Sequence, residues 1–129
     1  MFGDAVAYER FMGRWSARLA PLFLDEVDLP DPRLVLDVGS GTGNLTRAVA
    51  ERWPGSQVVG VDPSPAFVAA ARARAAHLRG RVRFETGRAD DLPLEDGSVD
   101  ATLALLVLNF VPDADRALTQ MRRVTRPGG

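Results

Sequence analysis

Three alternate glycines, Gly39, Gly41 and Gly43, follow a short apolar run that carries Asp37, in the segment L-V-L-D-V-G-S-G-T-G-N-L-T from Leu34 to Thr46. Glycines leave no Cβ to fend off a ligand, so a buried strand ending in such a turn offers main-chain N–H groups and a helix N-terminus to a nucleotide-like guest. The spacing narrows the choice of guest. A dinucleotide fold requires G-x-G-x-x-G, whereas this run is G-x-G-x-G with Asn44 where the third dinucleotide glycine would fall. A P-loop requires a Lys after its last glycine, and the chain contains no Lys. Asp62 stands 19 residues beyond Gly43. At the carboxyl end of the next strand it could accept hydrogen bonds from both hydroxyls of a ribose; the alternative is a helix cap ahead of Ser64.

Composition removes several chemistries. The chain has 129 residues, 46% hydrophobic and 26% charged, enough for one domain with its own core. With no Cys there is no disulfide, no Cys-ligated zinc and no thiolate nucleophile, and without Lys there is no Schiff base. A net charge of -1 gives no sign of a nucleic-acid partner. The arginines at Arg72, Arg74, Arg79, Arg81 and Arg83 read as a solvated face. No apolar stretch reaches the length of a membrane span and no basic-then-apolar leader opens the chain, so the expectation is a cytoplasmic protein without a membrane partner. His77, the single histidine, falls near the far end of a helix and reads as a surface residue.

The elements that must hold these residues follow from periodicity. Phe11, Trp15, Leu19 and Leu22 lie at helical spacing, giving an amphipathic cap over residues 1–29, kinked or restarted at Pro21. Leu34 to Val38 is apolar on both faces, as a central parallel strand requires. A helix from about Leu45 to Arg52 stops at Pro54-Gly55. A second strand, Val58 to Val61, leads to Asp62, and Ser64 with Pro65 opens an Ala-rich helix to about Leu78. Val82 to Glu85 reads as a third strand, Ala101 to Leu108 as a fourth, and Asp113 to Val124 as a final helix. Alternating strands and helices predict an α/β, Rossmann-like, doubly wound parallel sheet with helices on both faces.

Asp37-Val38-Gly39-Ser40-Gly41-Thr42-Gly43 with Asp62 beyond it resembles the cofactor site of class I S-adenosylmethionine-dependent methyltransferases. The segments Tyr8 to Ser16, Gly87 to Pro93, Ser98 to Asp113 and Arg123 to Gly129 follow in register the pattern of the small-molecule and quinone-type members of that family. The resemblance implies strand order 3-2-1-4 over residues 33–129 and S-adenosyl-L-methionine as cofactor. It implies that Gly39, Ser40 and Gly41 line the methionine half, with Asp37 toward its ammonium. Pro63 and Phe67 would pack on the adenine, Phe67 being equally a core residue, and Ala89 would present its N–H to the ring. The family usually has Asp or Asn before that alanine to accept the adenine amino group, whereas this chain has Arg88, which donates only. Either Asp90 takes over or the contact is lost. Leu105 and Leu106 would touch the cofactor, and Asn109-Phe110 would face the acceptor, with Asn109 either orienting it or capping the loop. Tyr8 and Arg14 would close over the cofactor carboxylate or simply pack their helix.

In the family the turn at Pro127-Gly128-Gly129 leads into a fifth strand. The expectation is therefore a partial fold lacking the fifth to seventh strands, with self-association through the exposed edge of the fourth. Three functions follow from these readings: methyl transfer to a small-molecule acceptor, an incomplete cofactor-binding fragment, and, with the wrong glycine spacing, a nicotinamide-dependent oxidoreductase.

Overall fold

The computed structural model describes residues 14–27, 29–78, 80–105 and 112–129, with side chains from residue 17 onward. Helix α1 (Arg14–Glu26) precedes strand β1 (Leu34–Val38), helix α2 (Asn44–Arg52), strand β2 (Gln57–Asp62) and helix α3 (Pro65–Arg74). Strand β3 (Val82–Thr86), strand β4 (Ala101–Ala104) and helix α4 (Ala114–Val124) complete the described elements. The four strands form one parallel sheet in the order β3-β2-β1-β4, as the resemblance implied.

Side-chain alternation divides the core by sheet face. Val35, Val58 and Leu103 pack against Ala20 and Leu24 of α1 and Leu45 and Val49 of α2. Leu36, Val38, Val59 and Val61 point the other way, onto Leu92, Val99 and Val124. Asp37 lies in register with Gly60 on β2 and Leu103 on β4, so it is the one carboxylate in a row otherwise free of charge on the α1/α2 face. Phe84, paired with Gly60, packs on Val68, Ala71 and Ala75.

Several boundaries differ from those expected. Helix α1 runs through Pro21 without restarting, its residues Ala20 and Leu24 being buried on both sides of the proline. Helix α3 ends at Arg74, and Ala76–Leu78 tightens into a single 3-10 turn that carries an exposed His77. Strand β4 stops at Ala104; Leu105 lies in a bend, and the rest of the expected strand falls outside the described residues. The arginine cluster is not merely a solvated face. Arg81 donates to the carbonyls of Ala50, Trp53 and Ser56, and Arg72 to that of Phe84, supplying buried carbonyls with partners. The edge beyond β4 is covered at its start, where Arg126 N–H donates to Val99 O and Thr125 bridges Val99 in parallel.

Candidate functional site

The loop after β1 is bent back over the end of β2. Gly39, Gly41 and Gly43 adopt φ of 72°, 56° and 89°, the left-handed region that side chains with a Cβ disfavour. This curvature aims consecutive main-chain donors at β2. Gly39 N–H and Ser40 N–H both reach Val61 O, at 2.8 and 3.0 Å, and Gly41 N–H reaches Asp62 Oδ2 at 2.9 Å. Gly43 then closes the turn on Ser40 O and starts α2.

Two carboxylates flank the loop. Asp62, 7% exposed, accepts from Gly41 N–H through one oxygen and from Ser64 N–H through the other, at 2.9 Å each. Ser64 itself caps α3 by accepting from Phe67 N–H. Asp62 is thus a brace between the glycine loop and the start of α3, and each of its oxygens keeps a second lone pair. Burial pushes its carboxyl up, against the opposing pull of the Ser64 and Gly41 amides.

Asp37, 1% exposed, accepts from Thr46 Oγ1 at 2.6 Å. Burial is the main cause that lifts its carboxyl to about 7; the Thr46 hydroxyl pulls it down and the Asp62 charge adds to the rise. Asp37 borders a small cleft with Gly39, Ser40, Thr42, Asn44, Leu45 and Leu105. In that wall Ser40 Oγ is buried and, among the described residues, has no hydrogen-bond partner. An orphaned hydroxyl in the same cleft wall as a carboxylate costs free energy unless a guest with donors completes it.

The expected site residues divide by location. Asp37, Gly39, Ser40 and Leu105 meet at the cleft, and Gly41, Gly43 and Asp62 shape the loop over it. Pro63 is exposed beside Asp62, while Phe67, 2% exposed, belongs to the core. Arg88 grips Asp90 through two bonds, Nε to Oδ1 at 2.9 Å and Nη2 to Oδ2 at 2.8 Å, with half-buried Ala89 between them. That fork holds the Asp90 carboxyl below the usual carboxylate range. Arg14 starts α1, but its side chain, like Tyr8, Leu106, Asn109 and Phe110 altogether, lies outside what is described. Thr46 was not singled out by its sequence position; the only signal was a hydroxyl in the first turn of the helix that follows the glycines. Among the described residues no cluster of three or more His, Cys, Asp or Glu could hold a metal ion, and no helix is long and apolar enough to cross a membrane.

The family described as "Methyltransferase domain" matches residues 35–129. Demethylmenaquinone methyltransferase of Thermus thermophilus is 42% identical over 118 residues, 90% of this chain and 51% of that protein. The chain spans about half the length of the curated relatives it matches. Among solved structures, the [4+2]-cyclase SpnF is 35% identical with a TM-score of 0.80, covering 88% of this chain and 42% of that one. A SAM-dependent methyltransferase from Aquifex aeolicus superposes with a TM-score of 0.82 at 21% identity, covering 96% and 68% of the two chains, a likeness of fold.

Proposed function

We propose, from the premise that this chain belongs to the methyltransferase domain family, that its glycine loop holds S-adenosylmethionine for methyl transfer to a small, quinone-type acceptor. The observation that carries this reading is the buried Ser40 hydroxyl without a partner, in the same wall as the Asp37 carboxylate. An ammonium group has three donors and no acceptor, so it satisfies both oxygens at once. The unused lone pairs of Asp62 suit a pair of ribose hydroxyls, and the glycines let the main chain approach closely. The residues present therefore fit the cofactor.

When bound, that cofactor supplies a methyl group already activated on a sulfonium. What the chain must add is placement. Asp37 and Ser40 fix the amino-acid end, Asp62 fixes the sugar, and Leu105 gives the cleft an apolar wall. Holding two reactants in line is worth roughly 7–11 kcal/mol, so placement by itself lowers a large part of the barrier, and the proton that the acceptor loses on methylation goes to solvent. At the base end Arg88 can only donate; Asp90, oriented by the Arg88 fork, is the acceptor for the adenine amino group, with Ala89 offering its N–H. Tyr8 and Arg14 stand as groups closing over the cofactor carboxylate, and Asn109 as the group orienting the acceptor.

The acceptor class rests on the Thermus thermophilus relative, whose name specifies demethylmenaquinone. Fold alone would not choose it, since the SpnF structure is titled a cyclase. Calorimetric titration with S-adenosylmethionine and, separately, NAD tests the cofactor; binding of NAD alone would return the site to the oxidoreductase reading. Methyl transfer to a demethylated naphthoquinol, followed by mass spectrometry, tests the activity. Cofactor binding without turnover would favour the second reading, a cofactor-binding fragment. Self-association along the outer edge of β4 belongs to that second reading, and a concentration-independent monomer in sedimentation would remove it.

A further inference from the structure

We propose that Thr46 is a positioning residue whose hydroxyl keeps the Asp37 carboxylate aimed into the cleft and able to ionise, so that arrival of a ligand ammonium there expels a proton. The proposal rests on the reading of this cleft as the amino-acid end of the cofactor site. Its basis is the set of groups facing Asp37 from each neighbouring element. From β2 it meets Gly60, which has no side chain, and beyond it the second acid, Asp62. From β4 it meets Leu103. From the loop comes the unpartnered Ser40 hydroxyl, and Leu45 and Leu105 complete the apolar wall. From α2 comes Thr46, fully buried, whose Oγ1 donates at 2.6 Å.

Among the described residues no cationic side chain pairs with Asp37, and the only other charge acting on it is negative. A carboxyl so placed is partly protonated near neutrality, at about 7. A ligand ammonium brings the missing positive charge, and the ionised form then wins. The acid proton leaves Asp37 for the buffer as the ammonium takes its place; no bond of the ligand changes. Thr46 sets where this exchange happens, because a donated hydrogen bond favours the anion over the acid. A hydroxyl that served only to fill space would leave the exchange where it was.

The test is calorimetric titration with S-adenosylhomocysteine, which keeps the ammonium and lacks the reactive methyl, from pH 5.5 to 8 in two buffers of different ionisation enthalpy. For the unaltered chain the affinity is expected to fall about tenfold per pH unit below about 7, with close to one proton released per ligand on that limb. Thr46→Val should move the midpoint up by about one pH unit, a loss of about tenfold well below pH 7 and about fivefold at pH 7 that vanishes as pH rises further. Thr46→Ser should restore the original midpoint. An affinity independent of pH, or a Thr46→Val loss equal at every pH, overturns the proposal while leaving the cofactor reading intact. Absence of binding by both S-adenosylhomocysteine and S-adenosylmethionine at every pH removes that reading and the proposal with it. Should Thr46→Val not fold, the proton count of the unaltered chain and the Thr46→Ser midpoint decide the matter.

Discussion

In the proposed site Asp62 serves two purposes with one carboxylate, since its four lone-pair sites outnumber the two main-chain donors that brace it. Removing it therefore damages the loop and the ligand contacts together, while a smaller change separates them. Asp62→Ala is expected to weaken S-adenosylmethionine binding by roughly tenfold to a hundredfold, at about 1.5–3 kcal/mol per charged hydrogen bond. Asp62→Asn keeps one acceptor oxygen for the loop but puts an amide where the other accepted. Its melting temperature should therefore lie between those of Asp62→Ala and the unaltered chain, while its affinity falls nearly as far. Titration calorimetry and thermal melts on the two variants check this, and an affinity untouched in Asp62→Ala would remove Asp62 from the site. Asp37, the glycines and Asp62 were legible in the sequence because residue type and spacing alone place them at strand ends. Thr46 was not, because its bond to Asp37 depends on the rotational phase at which α2 leaves the loop. The orphaned Ser40 hydroxyl is likewise a property of the packed loop rather than of any spacing.

Among the elements, β3 supports the site from beneath through a single aromatic ring. A Cβ built at Gly60 would sit 2.6 Å from Phe84 Cδ1, and one at Gly43 would sit 2.9 Å from Phe84 Cζ. One ring thus occupies the space that two glycines leave, one in β2 and one in the loop. The sequence showed Gly43 as part of a motif but gave Gly60 and Phe84 no special meaning, since their meeting requires the parallel β2–β3 register. Gly60→Ala is expected to cost about 1–3 kcal/mol through overpacking. In a Phe84→Leu background the same substitution should cost distinctly less, because a shorter side chain that can rotate away replaces the rigid ring crowding the new methyl. Urea titrations of the two single variants and the double variant measure that coupling, and a cost unchanged by Phe84→Leu would mean that Ser40 Cβ, 2.9 Å away, is the true obstacle. Strand and helix identities were readable throughout, whereas their ends were not. The expected fourth strand followed an apolar run, but β4 leaves the sheet at Leu105, which turns to line the cleft. Arg123 shows the same limit: it reaches Leu92 O, Leu94 O and Asp96, stapling α4 to the loop before β4, a bond set made visible only by the fold.

For the whole molecule, the sheet order followed from the family pattern, while the energetics of the buried acids required the packed structure. Asp37 titrates near its ordinary 3.8 in the unfolded chain and at about 7 in the folded one. Between those values unfolding releases a proton, so stability is full below about pH 4, falls as pH rises and levels off above about 7. The slope is at most about 1.4 kcal/mol per pH unit. Asp62, raised chiefly by burial, acts in the same direction. Asp100 acts oppositely: the N–H groups of Arg33 and Leu34 lower it, so its contribution is present above about pH 4 and is lost only as acid titrates it below that. The ligand-free chain is accordingly expected to melt highest in weak acid, near pH 4–5, and lower at pH 8. Asp37→Asn removes the principal cause, since an amide needs no ionisation and can still accept from Thr46 through its oxygen. Its melting temperature should vary far less between pH 4.5 and 8 and exceed that of the unaltered chain at pH 8, while its affinity for S-adenosylmethionine collapses. A melting temperature of the unaltered chain that climbs steadily from pH 5 to 8 would contradict this. The expected pattern means that the charge used to grip a cationic ligand destabilises the empty fold, and that binding restores the difference.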